Sequence, residues 1–184
     1  MDPKYRYSCL GYYDRVLRFY KKVISAHDGI PYKPEHMTFD AGEAQDNILV
    51  FFIFCHHIKD WIKNDPLVDP NAKDKVEGFI ENNPCLGFCA DIANGTKHFK
   101  LDRPTKSKLR PRFTRAQRSI IYNKVLTTEI LNSPESSNVV VKEFSYLSTD
   151  NGEIEVFELA SECINKWKEF IKESIYEEEA TKVP

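Results

Sequence analysis

The chain has 184 residues, 41% of them apolar and 29% charged, with a formal net charge of −2. That length suits one core, and that balance excludes the low-hydrophobicity, high-charge composition of a disordered polymer. The longest uncharged greasy run, Ile48 to Cys55, is far short of the roughly 18 residues a membrane-spanning helix needs, so no membrane partner is expected.

The first predicted element is a helix from Asp14 to His27, with Val16, Leu17, Tyr20, Val23 and Ile24 on one side and Asp14 as its cap. Asp28-Gly29, Pro31 and Pro34 end it. A second helix is predicted from Glu43 to Lys63, where Ile48, Phe51, Cys55, Ile58 and Ile62 recur at helical spacing and Asp65-Pro66 stops the run. Its middle is apolar all round, which marks the central helix of a bundle. Asn71 to Glu81 and Pro84 to Phe99 read as two further helices, and the short connections make them antiparallel neighbours.

From Arg103 to Arg118 prolines and cations predict a loop or irregular arm. Ser119 to Leu131 and Asn138 to Leu147, rich in β-branched and aromatic residues and parted by Ser133-Pro134-Glu135-Ser136-Ser137, predict an antiparallel hairpin ended by Asp150-Asn151-Gly152. A helix over 115–131 also fits Ile120, Ile121, Lys124 and Val125. Phe157 to Tyr176 returns to helical spacing through Leu159, Cys163, Ile164, Trp167, Phe170 and Ile171. The expected fold is therefore mainly α, one domain over 1–184. A bundle of about five helices (14–102 and 155–176) carries an inserted basic arm and antiparallel β-hairpin (103–150).

Charge is unevenly placed. Between Lys97 and Arg118 nine cations, Lys97, Lys100, Arg103, Lys106, Lys108, Arg110, Arg112, Arg115 and Arg118, face Asp102 alone, whereas Glu153 to Glu179 holds nine glutamates and three lysines. The basic segment can contact phosphates, or it can lie on the acidic last helix. No apolar stretch follows the first residues as in a secretory signal, and five scattered cysteines do not form a disulfide pattern, so a cytoplasmic protein is expected.

Asp91, Asn94 and His98 stand at i, i+3 and i+7 of the fourth helix, one side of it. Chemically, His98 is the candidate acid or base, Asp91 and Asn94 its orienting partners, and Lys97, Lys100, Arg103, Arg110 and Arg112 the cations for an anionic ligand. The plainer alternative is that Asp91 and Asn94 bridge helices and His98 caps the last turn. Gly95 beside them suggests a close backbone approach. His56, at the edge of the second helix's apolar stripe, is a further candidate ligand-binding residue. Cys55, His56, His57 and Asp60 with Cys85 and Cys89 lack the Cys-x2-Cys spacing of structural zinc sites, so no metal or cofactor is expected, and the thiols read as small hydrophobes. Phosphate loops, nucleophile elbows and His-Glu-x-x-His pairs do not occur.

The order Cys55-His56-His57-Ile58-Lys59-Asp60-Trp61, then Asp91-x2-Asn94-x2-Lys97-His98, a hairpin and a Trp167-bearing helix resembles a family of uncharacterised bacterial and phage helical-bundle proteins. More distantly it resembles the HEPN superfamily, whose active members are metal-independent ribonucleases with an Arg-x4-6-His motif and pair two motifs in a dimer. The resemblance implies an RNA- or nucleotide-binding homodimer in a phage-defence or toxin setting, with His98 in the histidine's place. No arginine precedes His98 at the family's spacing. The alternative function is a non-catalytic interaction or assembly protein.

Overall fold

The computed structural model describes residues 7–28, 30–31, 41–97, 105–107, 112–122 and 139–176, with the backbone alone at 25–28, 30–31, 41–44, 97, 112–122, 139–144 and 176. It is mainly helical with an antiparallel sheet. In chain order come α1 (Cys9–Asp28), β1 (Ile30–Pro31), α2 (Ala41–Asn64), α3 (Pro70–Asn82), α4 (Pro84–Lys97), β2 (Arg112–Tyr122), β3 (Val139–Thr149), β4 (Gly152–Glu155) and α5 (Val156–Ile171). A π-helical turn, Lys172–Tyr176, follows α5. No helix among the described residues is long and apolar enough to cross a membrane.

Helix α1 starts five residues before the expected Asp14, because Ser8 caps it: its hydroxyl accepts from Gly11 N–H at 3.2 Å and its carbonyl from Tyr12 N–H at 2.9 Å. Asp14 is instead an exposed mid-helix residue. The buried Asp65 carboxylate receives Cys9 N–H at 2.7 Å and Leu67 N–H at 2.9 Å, so the turn after α2 also holds the start of α1. Asp69 and Pro70 open α3 as cap and first residue, Asp69 accepting from Asn71 N–H.

Helix α2 packs on all four other helices, as its all-round apolar middle predicts. Phe51, Phe52, Cys55, Ile58 and Ile62 are fully enclosed, and on the outer side Phe54 meets Tyr12 and Phe19. Helix α5 buries its whole predicted stripe, Leu159, Cys163, Ile164, Trp167, Phe170 and Ile171, against this core. Trp167 and Phe170 cluster there with Phe79 of α3. Each such large side chain stabilises the fold by roughly 1.5–3 kcal/mol relative to exposure.

In the sheet, β3 is the hub. It pairs antiparallel with β2 from Arg112↔Ser148 to Tyr122↔Val139, while β1 (Ile30, Pro31) and β4 (Gly152–Glu155) pair with its two ends. One predicted feature is corrected: Arg112 to Arg118, expected as irregular arm, is strand, because β3 supplies a continuous partner, and the cations and Thr114 obscure its alternation. Asp150-Asn151-Gly152 ends the β2–β3 hairpin as expected, Asp150 and Asn151 forming a tight turn into the short additional strand β4, with Gly152 in the left-handed region at φ 122°. The helical alternative over 115–131 fails for 115–122; residues 123–131 lie outside the described residues.

Candidate functional site

Of the polar row expected on α4, Asp91 and Asn94 lie within the described residues. Asp91 is buried, and its carboxylate points at the 105–107 segment, accepting Lys106 N–H at 2.6 Å, Ser107 N–H at 2.8 Å and the Ser107 hydroxyl through a short bond. Three donors to one carboxylate fix a turn of chain, so Asp91 works as an anchor for residues 105–107. Asn94, one turn on, is exposed. His98, Lys100, Arg103 and Arg110 lie outside the described residues, as does the side chain of Lys97.

The close backbone approach expected at Gly95 occurs at Gly87 instead. A Cβ at Gly87 would stand 3.4 Å from Ser107 N and 3.5 Å from its Cα, whereas one at Gly95 would meet no described atom within 4 Å. Residues 105–107 thus lie directly on α4, seated against a residue without a side chain and tied by Asp91. This seat fixes where the basic segment leaves the bundle. Within it, Lys106 reaches Glu81 of α3 at 3.5 Å, so one of the nine cations is answered at the surface by α3.

His56 lies half-buried on α2, where burial, then the charges of Lys59 and His57, hold its pKa down to about 4, so the neutral ring is favoured at pH 7. Its ring lies 5.8 Å from that of His57.

What the arm offers is a strand. Residues Phe113 and Arg115 pair with the consecutive Leu147 and Tyr146, leaving Thr114 as an extra residue at a register shift. The bulge gives Arg112 and Arg115, three apart in sequence, register positions of the same parity, opposite Ser148 and Tyr146. Leu147 and Ser145, of the other parity, are buried, while Tyr146 and Ser148 are partly exposed. The face shared with Tyr146 therefore carries Arg112, Arg115, Gln117 and Ser119 from β2 against Ser148, Tyr146, Phe144 and Lys142 from β3. Arg118 belongs to the other parity, opposite Glu143. In this register basic positions of β2 stand opposite Tyr146 and Ser148 on one edge of β3, and Glu155 and Glu153 of β4 stand opposite the same two residues on its other edge. Sequence reasoning missed this face because its residues come from strands joined through a long connection.

A second grouping lies in the core. Cys55 of α2, Cys89 of α4 and Cys163 of α5 are all buried, with their Sγ atoms within 4.8 Å of one another, and Cys89 Sγ is 3.3 Å from Cys163 Sγ. Cys163 Sγ also lies 3.4 Å from the Cys85 carbonyl oxygen. The expectation of thiols acting merely as small hydrophobes did not foresee this convergence, which needs the packing of three helices to appear.

In comparisons with known proteins, the chain matches no family model, no curated protein sequence and no solved structure.

Proposed function

We propose that the protein binds single-stranded RNA, or a similar flexible phosphate-bearing polymer, across the β2–β3 face. The observation that carries the reading is the register, which gives Arg112, Arg115 and Lys142 positions of the same parity as Phe144 and Tyr146. Single strands are held by cations that follow the backbone and aromatic rings on which bases stack, so this residue combination suits them better than a duplex.

The anchoring role of Asp91 removes the carboxylate from any acid–base set, so binding, not cleavage, is the proposed activity. His98 is the one residue through which the HEPN resemblance extends to cleavage, and it acts in this reading without Asp91. The homodimer implied by that resemblance belongs to the same proposal and is read from the mass of the RNA-bound species.

The test is binding of single- and double-stranded RNA oligonucleotides across a salt series. Tighter binding of the single strand, with affinity falling as salt rises, is expected. Equal, salt-insensitive or absent binding overturns the reading and favours a protein-interaction role. A cleavage assay of His98→Ala beside the unchanged chain decides the enzymatic extension.

A further inference from the structure

Three thiols from three different helices meet in the centre of the bundle, Cys89 and Cys163 being 74 positions apart in sequence. Their mutual separations, none above 4.8 Å, bracket what a shared ion requires: zinc–sulfur bonds of about 2.3 Å in a tetrahedral or trigonal arrangement imply sulfur–sulfur distances of about 3.8–4.0 Å. Small movements of the side chains within their rotamers span that difference.

An independent feature points the same way. Trp167 is 1% exposed, and its indole N–H is buried without a hydrogen-bond partner of proper geometry. Such an orphan costs about 1–3 kcal/mol unless something answers it. The orphaned donor and the three converging sulfurs belong to the same part of the core, Cys163 and Trp167 lying one turn apart on α5.

We propose that Cys55, Cys89 and Cys163 form a buried trithiolate site for Zn²⁺, a thiophilic divalent cation that Cd²⁺ and Co²⁺ can stand in for. Thiolate sulfur is a soft donor, which selects this class over magnesium or calcium. Loading releases one proton from each thiol to solvent: a divalent ion and three thiols give a complex of charge −1 and three protons. The Trp167 N–H is placed to offset that residual charge, as outer partners of metal ligands do. Cys85, one helical turn before Cys89, offers its carbonyl oxygen near Cys163 as a further donor. Because the sulfurs are sealed inside, the ion enters as the chain folds.

The experiment is refolding of the full chain under reducing conditions with Cd²⁺, Co²⁺ or Mg²⁺, followed by removal of free ion and metal analysis. We expect about one Cd²⁺ or Co²⁺ retained per chain, sulfur-to-metal charge-transfer absorption, and a higher melting temperature than after refolding with Mg²⁺. Cys163→Ser and Cys55→Ser lose the absorption, whereas Cys9→Ser, a buried thiol outside the cluster, retains it. Trp167→Phe replaces the indole with a smaller aromatic ring that lacks the N–H, and lowers Cd²⁺ affinity by about 10- to 100-fold. Should the cluster variants fail to fold, the comparison of ions on the unchanged chain decides alone. Refolded protein with no retained Cd²⁺, equal absorption in Cys163→Ser, or a Cys89–Cys163 disulfide in place of metal overturns the proposal.

Discussion

Asp91 holds Ser107 twice, accepting from its backbone N–H at 2.8 Å and from its hydroxyl, across 16 positions of sequence. The pairing joins the middle of α4 to the entry of the basic segment. Asp91→Ala is expected to leave two buried-side amides without an acceptor and to cost about 2–4 kcal/mol, Asp91→Asn less, and Ser107→Ala about 1 kcal/mol. Urea unfolding measures all three, and an Asp91→Ala chain as stable as the original would refute the anchoring role.

Gly87 and Gly95 should separate close contact from helix propensity. Both sit in α4, where alanine is favoured over glycine by about 1 kcal/mol. At Gly87 the new methyl reaches ordinary van der Waals contact with Ser107, so alanine is tolerated and valine, which needs more room, is destabilising. Gly95→Ala and Gly95→Val should both fold stably. Thermal melting of the four variants shows the pattern; equal effects of valine at the two positions would contradict the seat described for residues 105–107.

His56 should give the fold an acid sensitivity. Its folded pKa, about 4, lies below the ordinary 6.5, so the unfolded chain takes up the proton first as pH falls. Stability contributed by the neutral ring is full above pH 6.5, declines below it by at most about 1.4 kcal/mol per pH unit, and the decline ends near pH 4. His56→Gln should flatten that part of the stability curve. Unfolding free energies between pH 7 and 4.5 that fall in parallel for both chains would show that other groups set the slope.

On the β2–β3 face, Tyr146→Ala should weaken single-stranded RNA binding by about 1–3 kcal/mol with little change in salt dependence. Arg115→Ala should instead reduce the slope of log affinity against log salt by about 0.7. Arg118→Ala, opposite Glu143 on the other parity, is the control expected to leave the slope unchanged. Titrations at several salt concentrations distinguish these outcomes, and an Arg118 effect equal to that of Arg115 would remove the face assignment.

The helices were legible because their buried residues recur every three or four positions: the stripes Ile48-Phe51-Cys55-Ile58-Ile62 and Leu159-Cys163-Trp167-Phe170 both proved to be core. The start of α1 was missed because Ser8, a polar cap, precedes any apolar repeat. The strand at Arg112 to Arg118 was hidden because the extra Thr114 breaks the period of two on which strand reading depends. At the candidate sites, helical spacing correctly set Asp91 and Asn94 on α4 but said nothing about the depth that commits Asp91 to backbone amides. The aromatic partners of the arginines and the meeting of three cysteines are long-range facts, set by how elements pack, and one sequence carries no trace of them.

The bulge in β2 has a bearing on handling the protein at all. An 11-residue strand that, among the described residues, pairs along one side only is a template on which stray chains can add and polymerise. The register shift at Thr114 breaks the regular run of that template close to its start. Removing Thr114 would restore one unbroken register along β2 and so lengthen the edge open to another strand.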